Sequence, residues 1–119
     1  MIDDDLYHDY ILIHPSENIT IVKVILYCTY YEAVDKSRKF EKDFGFIGNV
    51  HIWPVSSLEY RYLRRLINLN EAMTNLILIK ETCDIDIYDI INKIIEKMDE
   101  YCKKLDRFDF NHDTVFLRE

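Results

Sequence analysis

A chain of 119 residues and 14.4 kDa is one domain's worth of sequence, and its 49% hydrophobic and 31% charged residues describe a packed fold, not a disordered segment. A net charge of −7 opposes broad association with nucleic acid or anionic membrane surfaces and favours solubility and a basic protein partner. No apolar run reaches the roughly 18–20 residues of a membrane span, and Asp3, Asp4 and Asp5 stand where a signal peptide carries its basic region.

In chain order, the first pattern is a pair of apolar stretches, YHDYILI and NITIVKV, flanking His14-Pro15-Ser16-Glu17-Asn18. Pro, Ser and Asn make a turn there, which predicts an antiparallel strand over Tyr10–Ile13 at the edge of a sheet. Val22–Cys28 (VKVILYC) is the first long strand candidate. Tyr30, Ala33, Ser37, Phe40 and Phe44 then recur at helical steps, and Gly45 sits where a helix C-cap belongs. Asn49–Val55 (NVHIWPV) is a second strand, followed by Ser56-Ser57-Leu58-Glu59, the S-x-x-E capping pattern. Tyr62, Leu66, Leu69 and Met73 form one helix face after it.

Asn75–Glu81 (NLILIKE) is apolar at alternate and adjacent positions and predicts a third strand. From Ile87 to Leu105 the 3.6-residue period holds for five turns, with Asp84 or Asp86 placed to cap the helix. Asp89 and Lys93, Asp99 and Lys103, and Glu100 and Lys104 form acid-before-base pairs on its wet side. Asp113–Arg118 (DTVFLR) is the last strand candidate. The four apolar runs lie about 27, 26 and 37 positions apart, near the ~30 residues of a strand-helix-strand unit.

These elements predict a single α/β domain over residues 1–119: a small three-layer fold with a mostly parallel sheet and an N-terminal antiparallel edge hairpin. The rival is an all-α helical bundle, in which Val22, Leu26, Tyr30, Ala33, Ser37, Phe40 and Phe44 make one stripe. It must accept the β-branched stretch Ile19–Ile25 as helix.

In a parallel sheet, ligands sit beyond the carboxyl ends of the strands. That rule collects Cys28, Tyr30, Tyr31 and Glu32 after the first run, Trp53, Ser56 and Ser57 after the second, and Glu81 after the third. Tyr30, Tyr31 and Trp53 suit stacking, Ser56 and Ser57 an anion at a helix start, and Glu32 or Glu81 acid-base work. No catalytic residue is assigned. Neither G-x-G-x-x-G nor a P-loop is present, so no cofactor is expected. Cys28, Cys83 and Cys102 are an odd set without C-x-x-C spacing, expected as reduced thiols in a cytoplasmic setting. His8, His14, His51 and His112 are scattered singly, so no metal is expected, and His51 is expected in the interior.

The order V-I-L-Y-C-T-Y-Y, helix, V-H-I-W-P-V-S-S, helix, N-L-I-L-I resembles the opening half of the nucleoside 2-deoxyribosyltransferase-like family over Val22–Ile79. That layout implies a nucleoside site at the strand ends, although the family's first-loop glycine and its Gly/Ser-rich stretch before the catalytic glutamate are missing. Arg107 and His112 are similar in spacing to the R-x4-H of HEPN-type ribonucleases, but Phe108 stands where those enzymes have a polar residue.

Arg61, Arg64 and Arg65 beside Tyr60 and Tyr62 make a compact basic spot on an acidic chain, with the residue types of interface anchors. The leading expectation is therefore a non-enzymatic protein that binds another protein through this spot. The seventeen Ile, nine Tyr and seven Asn against two Ala and two Gly follow AT-rich codons. They bring a viral or mobile-element antagonist, or an immunity-type inhibitor, into view as a special case. The alternative is a small nucleoside- or nucleotide-handling enzyme or sensor. Neither nucleic acid nor a membrane is an expected partner, and the sequence does not set the oligomeric state.

Overall fold

The computed structural model describes residues 6–15, 19–45, 50–83 and 86–118, without the side chain of Leu26. In order the elements are β1 (His8–Pro15), β2 (Thr20–Cys28), α1 (Tyr30–Phe44), β3 (His51–Val55), α2 (Ser57–Thr82), α3 (Tyr88–Lys104), a 3₁₀ turn over Asp106–Phe108, and β4 (Val115–Leu117). The four strands form one sheet in the order β3-β1-β2-β4.

β1 is antiparallel to both its neighbours, and only β2 and β4 run parallel, with Val22 opposite Phe116. The fold is thus α+β with a mixed sheet, and the expected mostly parallel sheet is corrected. So is the edge position of the first hairpin. β3 pairs with the second side of β1, which puts the β1–β2 hairpin in the middle. Pro54 explains why β3 is the outer strand, since a residue without an N–H is tolerated at a sheet edge. The all-helical alternative fails because Ile19–Ile25 is almost wholly strand.

Successive side chains of β1 alternate between two hydrophobic clusters, as a strand's two-residue period requires. Tyr10 and Leu12 join Ile25, Cys28, Ala33 and Phe40 on the α1 side. Ile11 and Ile13 join Val22, Val24, Leu63, Leu66, Met98 and Phe116 on the other, where α2 and α3 pack. Burial on both faces is why Tyr10–Ile13 of β1 is apolar at four consecutive positions. Near its end β2 carries a bulge: Tyr27 has φ +37° and donates its N–H to Asp9 Oδ1 at 2.9 Å, and the pairing register shifts there.

The expected third strand, Asn75–Glu81, lies inside α2, a correction that removes one strand from the sheet. Thr74 and Asn75 are weak interruptions, and no Gly or Pro breaks the chain between Ser57 and Thr82, so the helix propagates through the apolar run. The likeness to the deoxyribosyltransferase layout fails at the same point, because its N-L-I-L-I strand does not exist here.

The helix ends foreseen at Gly45 and at Ser56 are present, whereas the N-cap of α3 is Ile87, with no side-chain cap. Gly45 ends α1 with φ +66°, a left-handed cap that suits glycine, and its N–H reaches the carbonyls of Glu41 and Lys42. Asp86 Oδ1 accepts the Tyr88 amide at 3.1 Å at the start of α3, while Asp84 lies outside the described residues. Among the described residues Glu100 of α3 pairs with Lys97 at 3.3 Å and Asp99 meets His112 at 3.1 Å, and none of the three expected four-residue pairs forms. No helix among the described residues is long and apolar enough to cross a membrane.

Candidate functional site

β2 and β3 both run antiparallel to β1, so Cys28 and Val55 lie at the same end of the sheet, opposite His8 and Asp9. The geometry therefore brings two of the three expected ligand loops to one edge. The third is not there: Glu81 is exposed near the far end of α2, a helix about 39 Å long at 1.5 Å per residue.

At that shared edge Thr29, Glu32, Ser56 and Glu59 are engaged in helix caps. Thr29 and Glu32 form a reciprocal capping box: the Thr29 hydroxyl oxygen accepts the Glu32 amide at 3.2 Å, and Glu32 Oε1 accepts the Thr29 amide at 3.3 Å. Ser56 and Glu59 repeat it at α2, at 3.1 and 2.9 Å. Cys28 is buried, Tyr30 packs against the α1-side core, and Tyr31 and Ser57 point to solvent. Cys28–Glu32 is thus where a strand hands over to a capped helix. The T-x-x-E spelling of that cap stood in the sequence beside S-x-x-E.

Trp53 belongs to a different place. With Ile13, Pro15, His51, Arg107 and Phe108 it lines an open hollow of about 360 Å³ on the outer strand of the sheet. His51 is exposed here, which corrects the interior position expected of it. The guanidinium of Arg107 stacks 4.1 Å from the Phe108 ring and donates to both Glu59 oxygens and to the Pro54 carbonyl. Burial raises the Glu59 carboxyl, but the Arg107 hydrogen bond, the Ser56 amide and the Arg107 charge together outweigh it and hold the group below its ordinary value. His112 is held elsewhere, by Asp99 at 3.1 Å, so Arg107 and His112 have separate partners. Arg107 is a clamp, a role that sequence spacing alone did not suggest.

The arginine spot forms a coherent surface. Arg61, Arg64 and Arg65 are exposed on the outward side of α2, and Tyr60 tucks under the helix against the core. Across the seam with α3, Arg65 lies 5.4 Å from the Tyr101 ring and donates to its hydroxyl at 3.2 Å. Tyr62 lies 5.9 Å from Tyr101, and Lys104 sits 5.2 Å over Tyr62. Among the described residues no carboxylate pairs with Arg61, Arg64, Arg65 or Lys104. Arg65 and Lys104 lie over the half-buried Tyr101 and Tyr62, and the exposed Arg61 and Arg64 of the same helix extend a surface that is basic where the chain is acidic. Tyr101 and Lys104 lie on the next helix, which hid them from a reading by neighbouring positions. Among the described residues no three His, Cys, Asp or Glu side chains gather as metal ligands would. No family model, curated protein or solved structure matches the chain.

Proposed function

We propose that the chain works without catalysis, by binding another protein through the outward face of the α2–α3 hairpin, with Arg61, Arg64 and Arg65 as anchors. The observation that supports it is the set of exposed guanidiniums unmatched by carboxylates beside Tyr62 and Tyr101. Ion pairing, stacking and burial of a tyrosine body are what interface hot spots use. The partner surface that fits is acidic. The net charge of −7 does not oppose this, because salt screens charges beyond about 8–10 Å and the local face decides at contact. An antagonist or immunity-type inhibitor needs nothing more than such a face.

The test is the triple change Arg61→Glu, Arg64→Glu, Arg65→Glu. It should abolish co-purification of the cellular partner while costing the melt no more than about 1 kcal/mol, since the three side chains are exposed and only the surface contact of Arg65 with Tyr101 is lost. Undiminished capture by the triple variant refutes the assignment. A second reading, a planar nucleoside-like ligand stacked on Trp53, draws on the hollow beside β3. A nucleotide mixture that raises the melting temperature of the parent but not of Trp53→Ala would favour it instead.

A further inference from the structure

The hollow beside β3 joins the outer strand of the sheet to the turn that follows α3. Trp53 pairs with Ile11 and His51 with Ile13 across the β1–β3 ladder, and opposite partners share a face of the sheet. Ile11 and Ile13 belong to the core under α2 and α3, so Trp53 and His51 project to that same side. Trp53 stays 47% exposed, although tryptophan is on average a well-buried residue. Ile13, Pro15 and Phe108 add apolar lining, and among the described residues no carboxylate lines the space. Arg107 is its cation. Nε and Nη2 of that guanidinium donate to Glu59 and to the Pro54 carbonyl, whereas Nη1 has no hydrogen-bond partner among the described residues. The group is nonetheless fixed, because Glu59 holds it at two nitrogens and the Phe108 ring lies 4.1 Å from its centre.

We propose that this hollow binds a small aromatic carboxylate, its rings against Trp53 and Phe108 and its acid group on Nη1 of Arg107. Size sets the ring count. A cavity of about 150 Å³ holds one benzene ring, so an open space of about 360 Å³ accommodates two fused rings and the acid. The lining sets the chemistry of each end. Aromatic and aliphatic side chains take the apolar body, and a small number of placed polar groups orient it, as in ligand pockets generally. Hydrogen bonds from a guanidinium to a carboxylate are roughly twice as strong as those to a neutral group, which selects an anionic end. A guanidinium already held in place also loses little freedom when it takes up the ligand. Glu59 offsets part of the Arg107 charge, so the rings supply the contact area and Nη1 the preference for an acid. No lining residue belongs to the arginine face of α2 and α3, so this site is separate from the one proposed for a protein partner.

Titration of the whole chain with 2-naphthoate, followed by NMR, tests the proposal. Trp53 is the one tryptophan of the chain, so its indole N–H gives a single, assigned signal. That signal should move and saturate with the acid, with a Kd below about 1 mM. Naphthalene-2-carboxamide, the neutral amide of the same shape, should bind at least about tenfold more weakly, and so should adenosine, a planar ligand without the charge. Arg107→Lys keeps a cation beside Glu59 but loses Nη1, and should bring acid and amide to within about threefold of each other. Its amide spectrum reports whether the fold is kept, and the comparison of acid with amide on the parent stands without it. The absence of a saturating shift with the acid, equal binding of acid and amide by the parent, adenosine binding as tightly as the acid, or an undiminished preference in a folded Arg107→Lys would each overturn the proposal.

Discussion

Arg107 closes its Nε and one terminal nitrogen on the two oxygens of Glu59, at 2.6 and 3.1 Å, while the same carboxylate accepts the Ser56 amide at 2.9 Å. One side chain thus caps α2 and ties to it the turn that follows α3. Arg107→Ala should destabilise the fold by about 1–2 kcal/mol, less than a buried pair because the guanidinium is 44% exposed.

The same pair sets an acid response. The folded Glu59 carboxyl lies below its ordinary 4.5, so the unfolded chain takes up its proton first. The stabilisation is present above pH 4.5 and drains away as pH falls from there through the lower folded value. Urea melts from pH 6 to pH 3 should show a shallower acid loss in Arg107→Ala than in the parent. Parallel curves would contradict the linkage.

Cysteine chemistry should separate the three thiols by position. Cys83 is exposed, whereas Cys28 and Cys102 are buried. Burial, reinforced by the Asp99 charge, pushes the Cys102 thiol up to about 11 from 9.0. A thiol reagent at pH 8 should label one cysteine rapidly and the other two only on unfolding. Because the folded thiol holds its proton longer, its contribution is intact below pH 9 and lost as pH rises from 9 toward 11. That loss is on the order of 2 kcal/mol.

Along the hairpin, the cost of truncation should follow burial. Leu66→Ala, in the closed core, should cost ~2–5 kcal/mol in urea melts. Ile94, on the apolar stripe of α3, is only half-buried, so Ile94→Ala should cost about 1–2 kcal/mol. Lys97→Ala should change little, its pair with Glu100 being exposed on both sides. A reversed ranking would mean that the faces of α3 are misassigned.

The two capping boxes offer a matched pair of tests. Thr29→Ala and Ser56→Ala should each cost ~0.5–2 kcal/mol, and the double variant their sum, since the caps belong to separate helices. A nucleoside site at Thr29 would instead appear as ligand binding lost with that change, and none is expected.

Local signals were legible wherever one side chain serves its own neighbourhood. Gly45, Ser56 with Glu59, the α1 stripe and the period of α3 all held, because caps and amphipathic faces are written within four residues. Asn75–Glu81 misled because four consecutive apolar residues fit a strand and a helix equally. What decided was the absence of a breaker upstream, which let α2 continue. The direction of β3 was hidden, since its partner is chosen by the free side of β1 and not by the length of the connection. At the candidate face, Arg61, Arg64 and Arg65 were visible as a cluster on one helix. Tyr101 and Lys104 joined them only through tertiary packing.

The parallel pairing of β2 with β4 has a kinetic consequence. Val22 and Phe116 are partners in the sheet and both line the larger core, yet they stand at opposite ends of the described sequence. The β1–β2 hairpin can form as soon as its own residues meet, whereas the fourth strand must wait for nearly the entire chain to be in place. Until then the outer side of β2 and the underside of α2 stay wet. During synthesis or refolding this is the period in which the molecule is most open to wrong pairing, with β2 offering an unfilled strand position to any extended segment.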